Sequence, residues 1–95
     1  TASIMAAFYE ILNTSSNWLI KKGIKKNTAN SYIAELFLSL SQDAVNKKSL
    51  GFKKIVKESQ TPNGLNMQVL KELQKGKFYN KLINALENIN KRVGK

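Results

Sequence analysis

The chain contains no cysteine and no histidine among its 95 residues. Without cysteine it can form no disulfide, no cysteine-ligated zinc site and no thiol nucleophile. Without histidine it lacks the side chain that most often exchanges protons near neutral pH. Both absences argue against most hydrolytic chemistry, and we expect no catalytic residue and no metal site in this chain.

Long apolar runs are also missing, because no stretch approaches the roughly 18 to 20 residues that span a bilayer. The N-terminus lacks the basic start and the apolar block of a signal peptide. We therefore expect a cytoplasmic protein without a membrane partner. Because the chain opens on Thr1 rather than on methionine, we also expect it to be a piece of a longer protein.

Arginine is scarce, since fifteen of the sixteen basic residues are lysine. The net charge of +10 leaves a small lysine-rich nucleic-acid-binding module open as an alternative function, with Lys53, Lys54 and Lys57 as candidate phosphate contacts. Base readout usually relies on a bidentate guanidinium, which only Arg92 offers. The lysines gather where helices are expected to end, and cations there complement the helix dipole. We favour this structural role over nucleic acid binding.

Apolar residues recur at helical spacing in five segments, and no segment alternates with period two over the length of a strand. The sequence therefore predicts an all-α domain of five helices that occupies residues 1–95 as a single unit. The predicted helices run from Ala2 to Lys22 with Gly23 as the stop, from Asn27 or Thr28 to about Asn46, from a Ser49 cap to Lys57, from about Leu65 to Gly76, and from Phe78 to Val93.

Helices one and two carry apolar residues on more than one side, which indicates contacts beyond the chain's own core. We expect the second helix to bury a stripe of five residues and other apolar residues to meet a partner. The stripe consists of Ile33, Leu36, Phe37, Leu40 and Ala44.

The stretch "QTPNGLNMQVL", residues 60–70, contains the only proline. Pro62 disfavours helix at Thr61, so the third helix must stop by residue 60. Asn63 and Gly64 both tolerate positive φ and predict a sharp reversal before Leu65. This pattern is complete as a simple helix-to-helix turn. It also has a functional interpretation, because the first backbone amides of the next helix are unpaired and attract a carboxylate or phosphate.

The segments on either side of this turn read "WLIKKGIKKNTANSYIAELFLSLSQDAV" and "VLKELQKGKFYNKLINALENINKR". The whole arrangement resembles the C-terminal dimerisation domain of pyrroline-5-carboxylate reductase. In that family the turn typically reads Ser-Pro-Gly-Gly-Thr-Thr, which corresponds to residues 61–66 here, and a Leu-x-x-Leu spacing follows, here Leu70 and Leu73. The resemblance covers nearly the whole chain, with specific motif support in residues 60–90.

The resemblance implies an interlocked homodimer that completes the substrate side of an NAD(P)H-dependent oxidoreductase of the proline biosynthesis type. It implies that the parent protein binds NAD(P)H in an N-terminal Rossmann domain absent from this chain, which holds no cofactor and is inactive alone. The residues expected to bind substrate are Thr61, Asn63, Gly64, Leu65 and Asn66, and those expected at the dimer interface are Phe8, Ile11, Trp18, Phe37 and Leu40.

The turn also departs from the family pattern. Thr61 and Gly64 match the family's small hydroxyl residue and second glycine, but Asn63 replaces a glycine, and Leu65 and Asn66 replace the paired threonines. Either the substrate differs, or the parent is a degenerate relative in which dimerisation has outlasted reduction. Both interpretations stay open, as does the choice between NADH and NADPH.

Overall fold

The structure, a computed structural model, describes residues 2–94 and contains five α-helices in the predicted order. No strand occurs in this range, so the all-α prediction is confirmed. The elements are a 3₁₀ turn (Ala2–Ile4), α1 (Met5–Lys21), α2 (Lys26–Lys47), a second 3₁₀ turn (Lys48–Leu50), α3 (Phe52–Glu58), α4 (Leu65–Lys75) and α5 (Phe78–Arg92).

The end of α1 follows the predicted glycine signal. Gly23 has a φ of +104° and donates its N–H to the Ile20 carbonyl at 3.0 Å, while Ile24 donates to the Leu19 carbonyl at 3.1 Å. These two bonds form a Schellman motif, which pairs carbonyls that the helix end would otherwise leave free. Glycine suits this position because other residues are strained at such a φ.

The predicted start of α2 is wrong by one or two residues. The residue before the helix is Lys25, whose backbone is extended (φ −62°, ψ 144°) and whose side chain makes no capping bond. The first helical bond runs from the Ala29 N–H to the Lys25 carbonyl at 2.9 Å. Asn27 and Thr28 therefore already lie inside the first turn and cap nothing.

The predicted Ser49 cap is also wrong. Ser49 lies within the second 3₁₀ turn, and Gly51 separates that turn from α3 with a φ of +87°. Because a left-handed residue interrupts the helical backbone, α3 can begin only after Gly51. The first helical bond then joins the Ile55 N–H to the Gly51 carbonyl at 3.3 Å.

The chain divides into two compact units, the first ending at Ser49 and the second beginning at Leu50. In the first unit α1 packs against α2, and the buried residues are Ser16, Ala29 and Ile33. The Ser16 hydroxyl donates a hydrogen bond of 2.5 Å to the Asn30 side-chain oxygen, which ties the two helices together. In the second unit α4 packs against α5, and no residue from 50 to 94 is buried.

A single chain covers little of its own apolar surface. Of the stripe predicted to be buried on α2, only Ile33 is buried, while Leu40 remains 54% exposed. Phe37 and Ala44 are half-buried, and Leu36 is 37% exposed. The expectation that one chain buries this stripe is therefore wrong, because α1 alone cannot cover both apolar sides of α2.

Candidate functional site

Residues 61–64 form a tight turn in front of α4. The Gly64 N–H donates to the Thr61 carbonyl at 2.8 Å, with Pro62 second in the turn and Asn63 third. Asn63 has a φ of +60°, which together with the proline is the pattern of a type II turn. Asparagine is one of the few side chains that tolerate this conformation, so it can replace the family's glycine without distorting the turn.

Gly64 is required for a different reason from the one the sequence suggested. Its backbone is extended (φ −82°, ψ 170°), so Gly64 does not use the positive φ that glycine tolerates. A Cβ at Gly64 would collide with the Thr61 hydroxyl oxygen and would lie 3.0 Å from the Thr61 carbonyl oxygen. The turn folds back so closely that only glycine fits without a shift of Thr61.

The start of α4 leaves backbone donors available. Gly64 precedes the helix without a side-chain cap, and the first helical bond joins the Gln68 N–H to the Gly64 carbonyl at 3.1 Å. The N–H groups of Leu65, Asn66 and Met67 have no acceptor within the helix, because the carbonyl four residues before each of them lies outside it. Such amides, at the positive end of the helix dipole, favour a carboxylate or phosphate.

Of the first two side chains of α4, one makes a hydrogen bond to the end of α3 and the other is exposed. Asn66 donates its side-chain amide to the Ser59 carbonyl at 3.1 Å and so ties α4 to the end of α3. Leu65 is 82% exposed, which leaves its side chain at the surface beside the turn. Asn66 therefore has a structural task that the sequence did not predict.

An open depression of about 320 Å³ lies beside the turn, along the first three turns of α4. The Gln68 side-chain amide donates to the Glu72 carboxylate at 3.3 Å at its far side. The helical part of this wall was not predicted from the sequence, although residues spaced three or four apart from the turn share a helix face. The lining residues are Asn63, Gly64, Met67, Gln68, Lys71 and Glu72.

The residues predicted at the dimer interface all lie on α1 and α2 of the first unit. Phe8 and Phe37 meet edge to face with ring centroids 6.2 Å apart, so the structure brings this pair together. Ile11 is 38%, Trp18 59% and Leu40 54% exposed. Phe37 is half-buried, and the other four residues are exposed.

The helix-end interpretation is correct for some of the lysines and not for Lys26, Lys53 and Lys54, which lie in first turns. Each α-helix carries a basic residue in its last turn, where its charge opposes the negative end of the dipole. These last-turn residues are Lys21, Lys47, Lys57, Lys75, Lys91 and Arg92.

Within residues 2–94, no group of three or more acidic side chains is placed to hold a metal ion. The helices of this range are too short or too polar to cross a membrane. A dinucleotide would need a glycine-rich turn between a strand and a helix, and the described part of the chain has no strand. These residues therefore do not fit NAD(P)H.

The chain folds into a small all-α domain. Its helices leave apolar residues exposed, and the turn before α4 presents backbone N–H donors that favour an anion. The chain belongs to the family described as pyrroline-5-carboxylate reductase dimerisation, whose model matches residues 1–95. The resemblance found in the sequence is confirmed, and it supports a parent of the pyrroline-5-carboxylate reductase type. A dimerisation domain implies self-association, and nothing in the match supports the nucleic-acid alternative. No curated protein and no solved structure matches the chain.

Proposed function

We propose that this chain is the dimerisation and substrate-side domain of an NAD(P)H-dependent oxidoreductase of proline biosynthesis, and that it is inactive alone. The observation that carries the proposal is the near absence of a core, since Ala29 and Ile33 are the only buried apolar side chains among the described residues. Burying apolar surface is the main driving force of folding, so helices this exposed need a partner to cover them. A second copy, interlocked with the first, supplies that cover.

The interface of the proposed homodimer includes the apolar face of α1 and α2. Phe8 and Phe37 already meet edge to face within one chain, and they form a preorganised aromatic centre for the partner to cover. Trp18 and Leu40 are more than half exposed and would gain most from burial. Ile11 completes the proposed set.

The nicotinamide cofactor belongs, in this proposal, to a Rossmann domain that precedes the chain in the parent protein. Residues 2–94 offer no dinucleotide site, so hydride transfer would depend on that domain. The helical chain would close the pocket from the other side. A cytoplasmic location is part of the proposal and rests on the family.

The turn at 61–66 is the proposed contact with the carboxylate of the substrate. The amides of Leu65 and Asn66 supply donors, and Thr61, Asn63 and Gly64 border the same turn. The exposed Leu65 side chain stands where the family has a hydroxyl donor.

Self-association is tested with the 95-residue chain by sedimentation equilibrium. We expect a species of twice the 10.7 kDa chain mass, and we expect Leu40→Asp to dissociate it by placing a charge in the apolar interface. Ser39→Asp is the matched control, because it adds the same charge at an exposed polar neighbour on α2. A wild-type chain that stays monomeric at high concentration would contradict the proposal.

The substrate contact is tested in the full-length protein by following oxidation of NADH and NADPH with pyrroline-5-carboxylate. Leu65→Thr restores the family's hydroxyl, and one added hydrogen bond should lower KM about 2- to 10-fold. Valine in the Leu65→Val variant has nearly the same shape as threonine but no hydroxyl, so this variant should leave KM unchanged. Equal KM values for the two variants would remove Leu65 from the substrate site, and absence of turnover with wild type would indicate another substrate or an inactive parent.

A further inference from the structure

The positive charge is distributed unevenly along the chain. Ten of the sixteen basic residues and three of the six acidic residues lie at or after position 50, which gives this part a net charge of +7 out of the total of +10. No residue from 50 to 94 is buried, so the second unit has the greatest need for a partner. The part of the chain that most needs apolar cover is thus the part with the highest positive charge.

Little of this charge is neutralised within the fold. In the described range the one ion pair is Lys47 with Asp43, at 3.2 Å and in the first unit. On α3, Lys53, Lys54 and Lys57 are all exposed, and Glu58 is the only acidic residue of that helix. The field of the second unit therefore extends into the solvent.

Symmetric association makes this charge an obstacle. Two identical chains that pair about a twofold axis carry the same net charge of +10, so each chain approaches a partner of like sign. The apolar faces attract at short range, whereas the net charges repel over the Debye length, about 30 Å at 0.01 M salt and about 10 Å at 0.1 M. The two contributions can be separated because salt screens only the second.

We propose that the self-association of this chain is electrostatically opposed and becomes tighter as salt concentration rises. The inference rests on the proposed homodimer and adds to it a means of regulation, since ionic strength would set the fraction of assembled protein. The expected direction is opposite to that of nucleic acid binding, which weakens as salt rises.

The test is sedimentation equilibrium of the 95-residue chain at several concentrations of NaCl. Between about 20 mM and about 500 mM NaCl, we expect the dissociation constant of the dimer to fall at least about tenfold. A triple variant, Lys53→Glu with Lys54→Glu and Lys57→Glu, lowers the net charge from +10 to +4, because each change replaces a positive charge by a negative one. This variant should dimerise more tightly at low salt and depend much less on salt.

The matched control replaces the same three lysines by arginine, which retains the charge and should retain the wild-type salt dependence. Circular dichroism checks that each variant keeps its helical content. If salt acted only by strengthening apolar contacts, the glutamate and arginine variants would show equal salt dependence, and the proposal would be overturned. A dimer whose dissociation constant does not change with salt would overturn it while leaving the proposed function intact, and a monomer under all conditions would overturn both.

Discussion

The α1–α2 unit and the α3–α5 unit differ in how much of the apolar surface of their helices they bury. The first unit buries Ala29 and Ile33 and joins its helices through the Ser16–Asn30 hydrogen bond. The second unit buries none of its residues 50–94, although α5 carries a regular apolar stripe. The difference indicates that the first unit has a minimal internal core, whereas the second depends on contacts that one chain does not make.

The effect expected to extend over the most residues is the change in hydrogen exchange when the dimer is diluted. Below the dissociation constant, the amides of α5 should exchange at least about tenfold faster than those of α2, because α5 has no buried side chain to protect it. Mass-spectrometric exchange at two protein concentrations measures this. Leu40→Asp should show fast exchange in α5 at both concentrations, and equal protection of α2 and α5 in the diluted wild type would erase the distinction between the units.

The second effect concerns the small core of the first unit. Ile33→Ala should lower the free energy of unfolding by about 2–4 kcal/mol, because it empties the position of the only large buried side chain among the described residues. Val45→Ala on the same helix is the control, since Val45 is 61% exposed, and its cost should stay below about 1 kcal/mol. Urea unfolding at one fixed protein concentration compares them. Equal costs would mean that a partner buries Val45 as well.

The third effect isolates the polar link between α1 and α2. Ser16→Ala should cost about 1 kcal/mol of unfolding free energy, because it removes a hydrogen bond from a buried donor. A double-mutant cycle with Asn30→Ala should return a coupling of about 0.5–1.5 kcal/mol. Ser15→Ala is the neighbouring control, since Ser15 bonds only to the Ile11 carbonyl of its own helix. A coupling near zero would show that packing alone joins the two helices.

The smallest effect tests the joint between α4 and α5. Lys77 has a φ of +62°, a conformation that costs a non-glycine residue roughly 1 kcal/mol, so Lys77→Gly should raise the unfolding free energy by up to about 1 kcal/mol. Lys75→Gly, two residues earlier and inside α4, should have the opposite sign and lower it by about 0.5–1 kcal/mol. Thermal unfolding distinguishes the two signs. Destabilisation by both changes would mean that the charge of Lys77, and not its backbone, governs its contribution.

The sequence predictions were most reliable where the deciding interaction joins residues close together in the chain. Helix ends signalled by Gly23 and Pro62 were predicted correctly, because backbone sterics act within a few residues. Helix starts predicted from Asn27, Thr28 and Ser49 were wrong. At both places the backbone of a neighbouring residue decided where the helix begins.

Some features of the candidate site likewise follow from local residue types, and others depend on how the helices meet. The type II turn and the positive φ at Asn63 follow from residue types alone. The contact between Asn66 and Ser59 joins residues seven apart, so it depends on how α3 and α4 meet at the turn. The depression wall formed by Met67, Gln68 and Lys71 is visible only once the turn is placed against α4.

By itself the sequence determined the five helices, the turn at Pro62 and the likeness to the pyrroline-5-carboxylate reductase dimerisation family, because periodicity, glycine and proline act locally. Only the tertiary structure decided why Gly64 must be glycine, which is the approach of the Thr61 carbonyl and hydroxyl. It also decided which apolar residues are buried. Periodicity tells which face of a helix is apolar, but burial depends on a neighbouring surface, which the single chain does not supply for most of its described apolar residues.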